Sequence, residues 1–115
     1  MTSNERVYNY TFSSIYKNYV NKVERKDKPV EQLDALLKWL TELNDNELAE
    51  YKQNNATLRE FFEAAPMNPR RKEIKGVVCG VRVEDIEDPL MQEIRYMDKI
   101  VDELARGKNF ENIFR

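Results

Sequence analysis

Hydrophobic residues recur at helical spacing along most of the chain. From Phe12 to Val23 the apolar side chains follow the i, i+3, i+4, i+7 spacing of one helix face. A second stripe runs from Val30 to Leu43 after Pro29, a residue suited to the first position of a helix. This second stripe is the most regular of the chain. Both stretches therefore predict amphipathic helices.

Capping signals predict two shorter helices. Asn44 precedes Glu47 by three residues, which favours a helix over residues 45–53. Thr57 and Glu60 have the spacing of a capping box, in which the hydroxyl and the carboxylate each accept from the other residue's backbone N–H. A fourth helix is expected to begin there.

The last third of the chain carries another clear helix signal. Asp88 suits an N-cap, Pro89 a first helical position and Gly107 a position just beyond the end. Residues 108–115 are expected to form a final turn that docks on the body of the protein. The apolar residues that would dock are Phe110, Ile113 and Phe114.

The valine-rich segment after Pro69 allows two interpretations. As a helix, it would begin at that proline and end near Gly80. As a strand over residues 75–83, it would need a partner, and RVYNYTF (residues 6–12) is the one candidate. Offsets of three, four and seven favour the helix. The residues at these offsets are Ile74, Val77, Val78 and Val81.

These patterns predict one compact all-α domain over residues 1–115. It would hold five to six helices, with residues 1–10 as an extended arm and a minor β element either near the N-terminus or around residues 75–83. The length of 115 residues, with 41% apolar and 35% charged residues, suits a single small helical core.

Composition excludes several chemistries. The chain has no histidine, which removes Ser-His-Asp and Cys-His catalysis and imidazole-bound zinc. One cysteine cannot form an internal disulfide, and no apolar run reaches the length of a signal peptide or membrane span. We therefore expect a cytoplasmic protein with no membrane partner.

Two features near the middle of the chain resemble chemical sites. Cys79 has apolar neighbours and would lie near a helix C-terminus, which predicts a buried, unreactive thiol. The acidic run from Glu84 to Asp88 lacks the EF-hand pattern, so we expect it to cap the following helix rather than to bind a metal. The sequence predicts no catalytic residue, no metal site and no cofactor.

The basic cluster, defined as Arg70, Arg71 and Lys72, is the strongest candidate binding site. At a helix N-terminus these cations would attract a phosphate or carboxylate, so the cluster predicts a site for an anion or phosphometabolite. The alternative is an internal salt-bridge network with Glu84 to Asp88. Nucleic acid is a further alternative, although the acidic start of the last long helix argues against it.

The tyrosines near the N-terminus and the apolar residues of the tail are compatible either with burial in the core or with contact with a partner protein. The tyrosines of the first fifth of the chain either form a partner surface or lie half-buried with wet hydroxyls. The apolar tail is either core or the seam of a homodimer. These tyrosines are Tyr8, Tyr10, Tyr16 and Tyr19.

Several long segments resemble an uncharacterised bacterial family, domain of unknown function 2200. They include SSIYKNYVNKVERK, FFEAAPMNP and GVVCGVRVEDIEDPLMQEIRYMDKIVDELARGK. The resemblance covers nearly the whole chain and implies a small cytoplasmic bacterial protein, but no activity, cofactor or site residue. The function is therefore unknown at this stage. We expect a helical binding or interaction module without catalytic machinery, with the anion binder and the nucleic-acid binder as alternatives.

Overall fold

The computed structural model of the chain describes residues 3–115. Over this range it contains seven α-helices, two 3-10 turns and one two-stranded hairpin. The predicted all-α fold with a minor β element is confirmed. The helices are α1 (Ser3–Tyr8), α2 (Phe12–Arg25), α3 (Val30–Thr41), α4 (Asp45–Tyr51), α5 (Leu58–Ala64), α6 (Pro89–Ala105) and α7 (Phe110–Ile113). The strands are β1 (Val77–Val78) and β2 (Val81–Arg82), and the 3-10 turns are Pro69–Glu73 and Val83–Asp85.

The long helix α6 is the centre of the fold. It packs against α2, α3, α5 and α7, and the hairpin lies against the same helix. Burying a leucine, isoleucine or methionine side chain contributes about 1.5–3 kcal/mol, so the facing stripes of α3 and α6 supply much of the folding free energy. The fully buried members of these stripes are Leu33, Leu36, Leu37, Leu40, Met97, Ile100 and Val101.

The starts of α2 and α5 are held together. Thr11 and Thr57, their two N-cap residues, form an isolated antiparallel bridge, and the amide of Phe12 donates to the carbonyl of Ala56 at 2.9 Å. The Phe12 and Phe61 rings stack beside this bridge at a centroid distance of 4.1 Å. One end of the core is therefore fixed by aromatic packing and by paired helix caps.

The predicted caps are confirmed, with one shift. Asn44 and Thr57 each form a capping box, and Asp88 accepts from the amides that begin α6. Pro29 occupies the N-cap of α3 rather than the first helical position. An extended backbone at Pro29 explains the shift, because the proline sets the entry of the chain without taking a helical conformation.

The predicted helix from Pro69 to near Gly80 is wrong. The chain makes a 3-10 turn over Pro69–Glu73 and then a hairpin in which Val78 pairs with Val81. The two-residue loop between them is Cys79-Gly80, with φ of +52° and +78°. Positive φ at both loop residues is the type I′ geometry of tight hairpins, which a helix cannot contain. The strand interpretation was nearer, but the partner is the next strand rather than residues 6–12.

The predicted extended arm is also wrong over the described residues. Ser3–Tyr8 forms helix α1, which contacts α5 and α6. Tyr8 is buried, and its hydroxyl donates to Asp88 at 2.6 Å. Burial of this aromatic ring fixes the helix on the body of the protein. Residues 1 and 2 lie outside the described range.

The C-terminal residues pack on α6 and α3. Ile113 of α7 is buried, and the Phe114 ring meets Trp39 edge-on at 6.1 Å. Arg115 binds both carboxylate oxygens of Glu103, at 2.8 and 2.9 Å. Within residues 3–115 no helix has the length and the apolar character that crossing a membrane requires.

Candidate ligand-binding site

Three tyrosine hydroxyls each donate a hydrogen bond to an aspartate that lies outside the tyrosine's own helix. Their rings are buried, so these tyrosines hold α1 and α2 against α6 and α3 rather than forming an exposed partner surface. Tyr10 differs, because 43% of it is exposed. The hydroxyl–carboxylate pairs are Tyr8–Asp88 (2.6 Å), Tyr16–Asp34 (2.6 Å) and Tyr19–Asp98 (2.5 Å).

A cavity of about 240 Å³ opens beside the last of these pairs. It lies between α1, α2, the first residue of α5 and the middle of α6. We call it the α2–α6 cavity. Apolar side chains form most of its wall, as is usual for sites that bind small molecules. These side chains are Val7, Tyr10, Ile15, Leu58 and Ile94.

Arg95 and Asp98 form the polar end of the α2–α6 cavity, with Tyr19 and Asn18 beside them. One Nη of Arg95 donates to Asp98 at 2.7 Å, an i, i+3 pair along α6. The guanidinium has five N–H donors, and its others have no protein partner within residues 3–115. Arg95 thus presents unused hydrogen-bond donors at the edge of an apolar cavity.

Asp98, in contrast, is well supplied with donors. It accepts from the Tyr19 hydroxyl, from Arg95 and, at 4.0 Å, from the sulfur of Cys79. Burial, followed by the negative charge of Asp98, raises the pKa of Tyr19 well above its ordinary value of 10.0. The phenol therefore stays protonated at neutral pH and remains a donor to the carboxylate.

The thiol of Cys79 is exposed at the hairpin turn, so the prediction of a buried cysteine is wrong. The type I′ loop turns the residue outward instead of placing it on a packed helix face. Partial desolvation and then the nearby Asp98 carboxylate raise the pKa of Cys79. The raised pKa agrees with the expectation of an unreactive thiol, but it arises from partial burial and Asp98 rather than from a position near a helix C-terminus.

Arg71, in the basic cluster, is bound to neighbouring groups through two of its three guanidinium nitrogens. Its Nε lies 2.8 and 2.9 Å from the two carboxylate oxygens of Glu93 on α6, and its Nη1 donates to the carbonyl of Asn68 at 2.9 Å. Both side chains of the ion pair are about four-fifths buried. Arg71 therefore fastens the 3-10 turn to α6.

The other two cations of the basic cluster are separate from this pair. Arg70 makes an exposed pair with Glu73 at 3.2 Å, and Lys72 is exposed. The turn has five residues, and the Asn68 side chain already accepts from the Arg70 amide. The partners of the arginines are thus Glu73 and Glu93, not the segment Glu84 to Asp88 that the sequence suggested.

The acidic segment has structural partners of its own. Asp88 caps α6 and accepts from Tyr8, whose hydrogen bond is the main reason why the pKa of Asp88 is lowered. Glu84 accepts from the amide of Gly76 at 2.9 Å, which holds the hairpin closed and lowers the pKa of Glu84. Over the part of the chain that the structure describes, no three His, Cys, Asp or Glu side chains are grouped to hold a metal ion.

A second, shallower cavity lies between α5 and the start of α6, with Arg59 and Glu93 among its lining residues. Glu93 is bound by Arg71, and Arg59 pairs with Glu5 at 3.3 Å. Arg59 and Glu93 thus already have partners, and the third charged residue of the lining, Glu63, is exposed. The α2–α6 cavity is therefore the better candidate site.

Sequence reasoning did not find Arg95 and Asp98. It assigned Ile15, Tyr19 and Ile94 to helix faces but gave no role to the charged residues that flank the α6 stripe. An Arg–Asp pair three residues apart beside an apolar stripe was the available signal. The 79-residue separation of Tyr19 and Asp98 hid their contact.

Comparison with known proteins gives one family and one similar structure. A family model for an uncharacterized protein conserved in bacteria, DUF2200, matches residues 6–115. The crystal structure of the uncharacterized protein SP1917 is similar at 39% sequence identity and a TM-score of 0.89, covering 98% of this chain and 92% of that one. Among curated proteins none matches. The chain therefore belongs to the DUF2200 family of uncharacterized bacterial proteins.

Proposed function

We propose that this protein binds a small organic molecule in the α2–α6 cavity. The cavity has apolar walls and one polar end, the arrangement typical of small-molecule sites. The observation that carries the proposal is Arg95, whose guanidinium offers donors beside apolar walls while only one of its nitrogens is paired with Asp98. Donors that lie beside apolar walls can form hydrogen bonds with a ligand that occupies the cavity.

The proposed function is binding rather than catalysis. The groups near the polar end are a phenol with a raised pKa, a thiol with a raised pKa and a carboxylate that already accepts several hydrogen bonds. None of these groups is activated as a nucleophile at neutral pH. These features support a binding module, and we propose the α2–α6 cavity as its binding site.

A fragment screen by NMR tests the proposal. Small organic compounds of each charge type are added to isotope-labelled protein, and backbone shifts are followed. We expect hits to shift signals of residues around Ile15, Ile94 and Arg95. The Ile15→Trp variant, which fills the cavity with a larger side chain, should lose these shifts.

A matched control lies on the same helix. Val20 is also partly buried on α2 but does not line the cavity, so Val20→Trp should keep the binding. Hits that persist unchanged in Ile15→Trp, or a screen whose hits all fall elsewhere on the surface, would overturn the proposal.

We also propose that the protein works in the cytoplasm. Its single cysteine is exposed and unpaired, a state that a reducing compartment preserves. Fractionation of cells that express the tagged protein tests this, and recovery in the membrane or extracellular fraction would contradict it.

A further inference from the structure

We infer that the α2–α6 cavity is selective for a small organic monocarboxylate with an apolar body. This inference rests on the proposed function and specifies its ligand class. It follows from three features of the site: the donors left over at its polar end, the net charge there, and the size and character of its walls.

The hydrogen-bonding capacity of the polar end favours an acceptor. Asp98 already accepts from Tyr19, Arg95 and Cys79, so it has little capacity left for a donor from a ligand. Arg95 uses one nitrogen and keeps its other donors. A ligand that gains hydrogen bonds from Arg95 must therefore accept them, and a carboxylate matches the guanidinium fork in shape and charge.

The charges at the polar end favour a ligand with no more than a single negative charge, because Arg95 is already paired with Asp98. Two lysines of α2 and α6 are engaged elsewhere, because Lys22 pairs with Asp102 at 3.2 Å and Lys99 donates to the carbonyl of Val77 at 3.3 Å. One guanidinium, beside the Asp98 carboxylate, can compensate a monoanion better than a phosphate dianion. An ammonium ligand would meet the positive charge of Arg95.

The walls of the cavity determine the size and the apolar character of the ligand. A volume of about 240 Å³ holds on the order of eight to ten non-hydrogen atoms, given that a water occupies about 30 Å³ in the liquid. Val7, Ile15, Leu58 and Ile94 offer only hydrocarbon to this space. A carboxylate with a chain or ring of about six carbons, the carboxyl carbon included, therefore fits the cavity.

Three probes with six carbons each and different head groups test the inference. Hexanoate, 1-hexanol and hexylammonium are titrated into the protein at low ionic strength, and binding is followed by NMR shifts. We expect hexanoate to bind about 10- to 100-fold more tightly than either of the others, the range expected for charge-assisted hydrogen bonds. Hexyl phosphate serves as the dianion and should bind more weakly than hexanoate.

Arg95→Gln should remove the preference for hexanoate over 1-hexanol, because it deletes the charge and the fork. Arg106→Gln is the matched control, since Arg106 follows the same helix and is 80% exposed away from the cavity; it should keep the preference. Arg95→Lys, which retains the charge without the fork, should give an intermediate affinity and provides a second test if the glutamine variant folds poorly.

The outcomes separate the two proposals. If 1-hexanol or hexylammonium binds as tightly as hexanoate, and Ile15→Trp abolishes that binding, the carboxylate inference is wrong while the ligand-binding function stands. A hexanoate preference that survives in Arg95→Gln also overturns the inference. If none of the probes binds and the fragment screen finds no hit in the cavity, both proposals fail.

Discussion

The 3-10 turn at Pro69–Glu73 and the polar end of the α2–α6 cavity both contain arginine, and they use it differently. At the turn, Arg71 places its Nε between both oxygens of Glu93 and adds a bond to the carbonyl of Asn68. At the cavity, Arg95 reaches one oxygen of Asp98 through one nitrogen. Both side chains are about equally exposed, at 20% and 23%. Exposure alone therefore does not separate a structural arginine from a binding arginine.

The two regions differ in how many guanidinium nitrogens are paired, two for Arg71 and one for Arg95, and in the apolar walls beside Arg95. Three adjacent cations made the turn the more conspicuous feature of the sequence, but its arginines are paired with Glu73 and Glu93. The cavity has a single arginine, and its partner Asp98 is shared with Tyr19. A run of adjacent charged residues thus predicts ion pairs. A ligand site, in contrast, needs hydrogen-bond donors that are unpaired and lie beside apolar side chains.

The largest expected effect on stability is at Arg71. Arg71→Gln should lower the free energy of unfolding by about 1–3 kcal/mol, because it leaves a largely buried Glu93 carboxylate without its cation. Hexanoate binding should be unchanged. Urea denaturation and the NMR titration measure the two quantities.

A double-mutant cycle isolates this ion pair. Adding Glu93→Gln to Arg71→Gln should recover part of the lost stability, since the uncompensated charge is removed. Fully additive losses would show that the pair is not coupled. Weaker hexanoate binding in Arg71→Gln would break the contrast between the two regions.

The next effect is at Tyr19. Tyr19→Phe should lower the free energy of unfolding by about 1–2 kcal/mol, because Asp98 loses a buried donor. Asp98 should then accept more hydrogen bonds from Arg95, which leaves fewer donors for the ligand. Hexanoate affinity should therefore fall severalfold. Calorimetry of unfolding and the titration test both expectations.

Tyr16→Phe is the matched control for this change. Tyr16 also donates to an aspartate, Asp34, but lies outside the cavity lining. It should lose stability to a similar extent while keeping hexanoate affinity. Equal loss of affinity in the two variants would contradict a specific role of Tyr19 at the site.

A smaller effect concerns pH and the cap of α6. The Tyr8 hydroxyl lowers the pKa of Asp88 from its ordinary value of 3.8. A lowered carboxyl pKa means that the stabilisation is present above the unfolded value and is lost as pH falls through the folded value. Asp88→Asn, which keeps a capping side chain, should therefore cost a few tenths of a kcal/mol at about pH 7 and almost nothing at about pH 2. A cost that is the same at both pH values would contradict the charge-based explanation.

The smallest effects are expected at the exposed members of the basic cluster. Arg70→Ala and Lys72→Ala should each change the free energy of unfolding by less than about 0.5 kcal/mol, because the Arg70–Glu73 pair and Lys72 are exposed. Hexanoate affinity should stay within error. A marked loss of affinity in either variant would place the anion site in the cluster instead.

Local signals were sufficient for most helices. Periodicity predicted α2, α3 and α6, and the side-chain pairs of Asn44 with Glu47 and Thr57 with Glu60 marked two starts correctly. Each of these signals acts within one or two turns of chain. Because these local signals can be read directly from the sequence, they were sufficient to predict the fold class.

The hairpin shows where such signals fail. Ile74, Val77, Val78 and Val81 match a helix face by spacing, yet the backbone takes positive φ at Cys79 and Gly80. A two-residue loop that ends in glycine, between the short segments Val77–Val78 and Val81–Arg82, was the competing signal. Asn or Asp is the usual first residue of such a loop. Cysteine at this position is atypical, so the sequence signal for the turn is weak.

The α2–α6 cavity was beyond sequence reasoning for a different reason. Ile15 and Tyr19 lie on α2, and Arg95 and Asp98 lie on α6, about 80 residues away along the chain. Helical spacing assigns each residue to a face of its own helix. Which faces meet, and whether they leave a space between them, is decided by the packing of the whole core.

The most direct measurement of the central claim is the position of hexanoate in the protein. Intermolecular nuclear Overhauser effects, recorded with labelled protein and unlabelled hexanoate, report which side chains the ligand touches. We expect contacts from the terminal methyl group to Ile15 and Ile94, together with a shift of the Arg95 side-chain N–H signals. Contacts confined to the basic cluster at Arg70, Arg71 and Lys72, or the absence of any contact at saturating ligand, would contradict the account.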